Sequence, residues 1–265
     1  MRRAGLLFPM LAAVVFWTSA LGASGSAAPY PPQGEQAPTV AEILARYRAA
    51  RGGAEKLHAV QSSAEKYAFQ TSKGYKGVIV IRNLRPKQVR IDYTFEATGK
   101  NQESHSIAAY DGTDAWTVTE AYGKKQLRVL RGEEMAGLRQ EATMQYEDDP
   151  EAHGEQAQVV GLETLAGRSA YKVQFVSPDK TVRYQFFDSE SSLLVRTEWI
   201  TGGRGKEKTD ALLMSDYRPV GGLLFAHAIT VERASGERVT YALQALQLNP
   251  TLDEHIFKMP PTRPY

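Results

Sequence analysis

The sequence predicts a mainly β protein: a strongly curved antiparallel sheet forming an incomplete β-barrel, covered by short helices over an apolar cavity. Three observations carry this. From Glu65 to Leu248, short runs of β-branched and aromatic residues alternate with polar ones, and Gly, Pro, Asp and Ser cut them at near-regular intervals. Helical spacing is confined to two stretches, near residues 40–60 and 132–146. The strands present one apolar face, and two small helices cannot densely fill it, so the sheet must be covered or curl around something. A fully packed sandwich shows the same alternation.

The N-terminus has its own logic. Arg2 and Arg3 precede an apolar run over residues 6–17, and the small-residue stretch SALGASGSAA follows. That order describes a secretory signal peptide over residues 1–28, with cleavage between Ala23 and Ala28. The run is too short to span a bilayer, which takes roughly 20 apolar residues. No Ser or Thr stands before Arg2 and Arg3, which favours the general secretory route over the twin-arginine one. Residues 29–38, rich in Ala, Pro and Gln, read as a flexible leader, and residues 39–265 as a single domain.

Composition excludes several classes. The chain has no cysteine, hence no lipobox for acylation and no disulfides, so its stability must come from a core. Its 32 basic and 30 acidic residues become 30 and 30 once Arg2 and Arg3 leave with the signal. A neutral chain without a basic cluster is a poor nucleic-acid binder.

Thr39 with Glu42 forms a capping box, and Val40, Ile43, Leu44 and Tyr47 recur on one helical face. Gly52 and Gly53 stop this helix, and residues 54–60 add a short second one. Strands are expected at 66–71, 77–82, 88–95, 104–110, 115–119 and 125–130, with turns at Lys73-Gly74, Arg85-Pro86, Gly99-Lys100, Asp111-Gly112 and Tyr122-Gly123. Residues 132–146, with Met135, Leu138, Ala142 and Met144, read as a helix, and 147–156 as an acidic loop. Strands resume at 157–163, 169–176, 181–187, 193–201, 206–216, 225–233 and 237–248. No fixed-period repeat is present, which argues against a propeller or solenoid.

Alternation assigns faces. Val89, Ile91, Tyr93 and Phe95 oppose Arg90, Asp92 and Thr94; Val182, Tyr184 and Phe186 oppose Arg183 and Gln185. The strand aromatics Tyr93, Phe95, Trp116, Phe175, Tyr184, Phe186, Trp199 and Tyr241 are candidate lining for the cavity. Val80, Val89, Ile91, Val173 and Ile229 join them, and Ile43, Leu44 and Tyr47 form a candidate lid. Such a lining holds an acyl chain by shape and buried area, and plain core packing accounts for the same residues.

Catalytic and metal signals are poor. His58, His105, His153, His227 and His255 are scattered without metal-ligand spacing. Ser177 and Lys180 match a serine–lysine spacing, but that motif opens a helix and here spans a turn between strands. Glu147, Asp148 and Asp149 fit an exposed acidic loop better than a Ca²⁺ site. No nucleophile elbow, phosphate loop or dinucleotide fingerprint occurs. These readings point to no enzyme, no cofactor and no metal.

The chain resembles the LolA/LolB-like superfamily of outer-membrane lipoprotein-sorting proteins. The resemblance rests on the opening helix with ARGGAEKLHAV, on YDGTDAW, GLETLAGRSAYKVQF and YQFFDSESSLLVRTE, and on SDYRPVGGLLFAHAITVE and LNPTLDEHIFKMP, in that order. It implies an incomplete barrel lidded by helices over a hydrophobic cavity, with a tight hairpin at Gly221-Gly222. It further implies a soluble, monomeric periplasmic carrier that shields the acyl chains of a lipid or acylated lipoprotein, exchanging them with envelope transport proteins. The chain departs from the pattern in being longer than the dedicated carrier, in lacking a residue that matches the carrier's lid arginine, and in lacking the acceptor's acylated cysteine. The alternative is a non-carrier envelope scaffold or sensor using the same fold for protein–protein contacts; an exported hydrolase would rest on Ser177 and Lys180 alone. Intact-mass measurement of the exported protein is expected to place its N-terminus between Ala23 and Ala28, and retention of Arg2 and Arg3 would overturn the signal-peptide reading.

Overall fold

The computed structural model describes residues 37–97, 103–121, 123–142, 154–178, 180–201 and 208–261. The segment expected to be a signal peptide, most of the expected leader, the expected turn at Gly99-Lys100, Tyr122, Met144, the acidic residues Glu147, Asp148 and Asp149, His153 and Asp179 lie outside them.

Helix α1 (Val40–Ala50) begins as its sequence dictates. Thr39 Oγ1 accepts from the Glu42 amide at 3.2 Å, and the Glu42 carboxylate accepts from the Thr39 amide at 2.8 Å, so two otherwise orphaned amides are satisfied. Helix α2 (Ala54–His58) follows across Gly52 and Gly53. The first run of strands is β1 (Ser62–Thr71), β2 (Lys76–Leu84), β3 (Gln88–Phe95), β4 (Ser104–Tyr110), β5 (Ala115–Ala121) and β6 (Lys124–Leu130). After α3 (Glu133–Ala142) come β7 (Gln156–Leu165), β8 (Arg168–Val176), β9 (Val182–Asp188) and β10 (Leu194–Thr201). The last are β11 (Lys208–Val220), β12 (Leu223–Glu232) and β13 (Arg238–Leu248), with a 3-10 turn at Glu254–Phe257.

All thirteen strands join one antiparallel sheet, ordered β6-β5-β4-β3-β2-β1-β13-β12-β11-β10-β9-β8-β7. Two meanders therefore meet at β1 and β13, where Ser63 pairs with Leu248 and Thr71 with Val239. Strands β6 and β7 end the sheet, which curls without closing into a barrel. The β11–β12 hairpin turns on Gly221 and Gly222, whose φ values of 59° and 78° suit a tight two-residue turn.

The inner face buries two adjoining clusters. One runs from β1 to β5 and on to β12 and β13, and includes Phe69, Ile79, Ile91, Tyr110 and Tyr241; α3 lies over it with Leu138 and Ala142. The other packs Ile43, Leu44 and Tyr47 of α1 against Val173, Phe175, Phe187, Leu194 and Met214. Leu212 and Ile229 belong to both margins and join them. On the opposite face, Ala109, Trp116 and Val118 form a separate patch near the C-terminal turn. There the Trp116 indole donates to the Phe257 carbonyl at 2.8 Å, and Arg90 donates to the Ile256 carbonyl at 2.9 Å.

Gly77 shows why glycine sits in this strand. It pairs with Phe69 on one side and Phe95 on the other, and the two rings meet edge-on at 5.1 Å across it. A Cβ there would collide with the Thr94 carbonyl oxygen and approach the Phe69 ring at 2.8 Å. Gly77→Ala is expected to destabilise the protein by about 1–3 kcal/mol through overpacking, read as a lower urea midpoint; an unchanged midpoint would refute this packing.

Candidate functional site

The structure brings part of the expected lining together. Val89, Ile91, Tyr93, Phe95 and Tyr241 stand in the first cluster, Val173 and Phe175 in the second, and Ile229 at both. The expected lid residues Ile43, Leu44 and Tyr47 cover the second cluster.

Four expected lining residues face the other way. Val80 alternates with Ile79 and Ile81, which point inward, and it pairs with Lys66 and Asp92. Trp116 alternates with the inward Ala115 and is buried on the opposite face. In β9 the expected faces are reversed: Phe187 packs against α1, so Tyr184 and Phe186 lie on the far side, where Lys172 Nζ stands 4.6 and 5.3 Å above their rings. The adjacent Phe186 and Phe187 made both faces of β9 apolar in sequence, and only the position of α1 separates them. Trp199, opposite Arg183 and Asp210, is half-buried and belongs to neither cluster.

The apolar inner face is filled by its own side chains. A cavity of about 90 Å³ remains where the C-terminal end of α1, the last turn of α3 and strands β1, β2, β11 and β12 converge. Its wall mixes Ile81, Leu212, Met214 and Ile229 with Arg51, Glu65, Asn83 and Glu141. Asp216, at φ 55°, interrupts the alternation of β11, so Met214 and Tyr217, three apart, both reach the cavity.

Each polar wall residue has an assignable setting. Glu65 accepts from Tyr67 Oη at 2.7 Å and from Ser63 Oγ at 3.3 Å. Asn83 is buried, its Nδ2 reaches Ser63 Oγ at 3.5 Å, and no described residue hydrogen-bonds its Oδ1. Arg51, also buried, donates from Nε to the Leu224 carbonyl at 3.1 Å and from Nη1 to Tyr47 Oη at 3.2 Å. Burial, with the negative Glu65 nearby as the smaller cause, pushes the Glu141 carboxyl up to about 7.

Sequence reasoning missed these four, although a signal existed for two. Glu65 shares the parity of Tyr67 and Phe69, and Asn83 that of Ile79 and Ile81, so each is a polar residue at an inward position. Arg51 and Glu141 carried no such mark.

The other polar residues singled out in the sequence lie away from this cavity. Ser177 and Lys180 lie in the β8–β9 turn, and Ser177 Oγ donates to Glu155, which also accepts from the two terminal guanidinium nitrogens of Arg183 at 2.8 and 3.0 Å. His227 Nδ1 lies 3.0 Å from the Phe225 carbonyl oxygen. Among the described residues, no cluster of three His, Cys, Asp or Glu could hold a metal ion.

Glu141 has a pH consequence. Its folded pKa of about 7 lies above the ordinary 4.5, so the folded state holds a proton that the unfolded state loses. Stability therefore falls as pH rises from about 4.5 to 7 and is flat beyond. Glu141→Gln is expected to stabilise the protein by roughly 2 kcal/mol at pH 8, and by little at pH 4. Equal effects at both, in thermal melts, would refute a desolvated neutral carboxyl.

No family model matches this chain. No curated protein matches it in sequence. Solved structures do match in fold. A DUF1329 family protein from Desulfovibrio piger aligns with TM-score 0.56 at 13% identity, over 82% of this chain and 97% of its own. A LolA superfamily protein from Nitrosomonas europaea aligns at 0.53 and 13%, over 84% and 99%. An outer-membrane lipoprotein-sorting protein domain from Vibrio parahaemolyticus aligns at 0.54 and 11%, over 82% and 94%. At such identities the likeness speaks to fold alone. The curled open sheet and its short covering helices are a LolA-like fold.

Proposed function

We propose that this chain is a periplasmic carrier that holds the acyl chains of lipids or acylated lipoproteins against the inner face of its sheet during outer-membrane sorting. The observation that carries the reading is the mismatch between that face and its cover. Among the described residues, α3 contributes to the first cluster Leu138, Ala142 and the half-buried Met135. At ten residues, α3 is too short to persist as a helix unless docked.

The cavity of about 90 Å³ is far below the roughly 300 Å³ at which ligand pockets begin. An acyl chain must therefore displace α3. Exposing its three apolar side chains costs about 5 kcal/mol, whereas burying fifteen or so methylenes returns about 12 kcal/mol. Long chains open the cover and short ones do not. The signal peptide read from the sequence and the LolA-like fold support the same role, and the reading gives the protein no catalytic duty.

A second reading, an envelope scaffold or sensor that binds a protein, draws on the inner face being already filled and on β6 and β7 ending the sheet. Native mass spectrometry of protein isolated from its envelope is expected to show a bound lipid. Leu138→Ala is expected to increase uptake of a hydrophobic fluorescent probe several-fold. A stoichiometric protein partner without lipid, together with no probe uptake by either form, would replace the carrier with the scaffold.

A further inference from the structure

The small cavity differs in chemistry from the apolar face beside it. Asn83 is 7% exposed and presents an Oδ1 that no described residue hydrogen-bonds. Leaving such an acceptor dry is costly, because its bonds to water are lost without replacement. Two carboxyl groups, Glu65 from β1 and Glu141 from α3, share the same wall. The cation of that wall, Arg51, is engaged with Leu224 and Tyr47 and lies over the Tyr47 and Phe225 rings at 5.7 and 5.2 Å. The wall is thus rich in acceptors, and what would complement it is a small group with several N–H donors.

Size narrows the choice. At about 90 Å³ the cavity takes a few heavy atoms, or several waters at roughly 10–15 Å³ each. Position narrows it further. Ile81, Leu212 and Ile229 line the cavity and also belong to, or pack on, the first cluster beneath α3, so a polar group bound here has hydrocarbon-compatible surface directly alongside.

We propose that this cavity is a head-group site for a primary ammonium carried on an acyl or alkyl chain, with the N–H groups donating to Glu65, Glu141 and the Asn83 Oδ1 and the chain running beneath α3. The proposal rests on the carrier reading and adds the chemistry of what is carried. Three donors on one tetrahedral nitrogen match three acceptors from three elements, whereas a carboxylate or phosphate head would meet two acidic groups. Burial, and then the neighbouring Glu65, raise the pKa of Glu141. A bound ammonium would place a cation beside the carboxyl and draw it into its ionised form.

The test is displacement of a hydrophobic fluorescent probe from the full chain at pH 7.5 by three amphiphiles of equal length. Dodecylammonium has N–H donors, dodecyltrimethylammonium has the charge without them, and dodecanoate has the opposite charge. Dodecylammonium is expected to compete at least tenfold better than either of the others. Glu65→Gln and Glu141→Gln should each reduce that preference to threefold or less. Glu141→Gln guards against misfolding as an explanation, since it should be at least as stable as the parent. Lysophosphatidylethanolamine then separates sources: competition matching dodecylammonium assigns an aminophospholipid head, and failure beside a retained alkylammonium preference assigns an amine without a neighbouring phosphate. Equal competition by all three amphiphiles, or a preference untouched in both folded variants, would overturn the head-group site and leave the carrier standing. Absence of any probe binding, including by Leu138→Ala, would remove the carrier itself and this site with it.

Discussion

The structure depends on one constraint: a thirteen-stranded sheet has an inner face too large for its helices to cover. Each large apolar side chain left in water forfeits about 1.5–3 kcal/mol, so the sheet curls until its own residues meet. The curl is held at the centre, where β1 and β13 pair across most of the domain's sequence, Ser63 to Leu248. Such remote pairing carries a loop-closure cost before it returns any burial, which places the protein among slow-folding topologies. The two meanders on either side are local hairpins that need only this junction to become one surface.

The helices then take positions that the curl leaves open. Helix α1 is locked to the β11–β12 hairpin through a two-way link: the Leu224 amide donates to the Arg51 carbonyl at 2.9 Å, and Arg51 Nε returns a bond to the Leu224 carbonyl at 3.1 Å. Gly52, at φ 119°, allows the approach, because a Cβ there would stand 2.5 Å from the Gly222 carbonyl oxygen. A buried guanidinium held by a carbonyl, a tyrosine hydroxyl and two ring faces makes this end of the cover rigid. Helix α3 rests on Leu138 and Ala142 over the first cluster, and its exposed ion pair from Arg128 to Glu134, at 2.7 Å, contributes little. One end of the cover is fastened and the other rests on burial, and the polar cavity lies between them.

That arrangement links packing to the proposed role. A container that must open needs a cover whose docking energy is smaller than what its cargo returns. Cross-strand ion pairs such as Arg82–Asp92 and Lys172–Glu163, both at 2.8 Å, decorate the sheet and contribute little to that balance. The decisive terms are the apolar area under α3 and the polar wall beside it, where no described residue hydrogen-bonds Asn83 Oδ1.

Much of the fold was legible because alternation is a local property. The period-two runs and their punctuation placed thirteen strands, the capping box at Thr39 and Glu42 placed α1, and Gly221-Gly222 placed the hairpin. Parity even marked Glu65 and Asn83 as inward. What alternation cannot do is say which of two apolar faces a helix will cover, so Tyr184, Phe186, Val80 and Trp116 looked inward and are not. Nor can it show that Arg51 and Glu141, ninety residues apart in sequence, share one wall. The sequence by itself determined strand number, local pairing and the apolar character of one face, since these follow from neighbouring residues. Only the tertiary structure decided which side became the interior and where polar groups were trapped within it, because both depend on how remote segments meet once the sheet has curled.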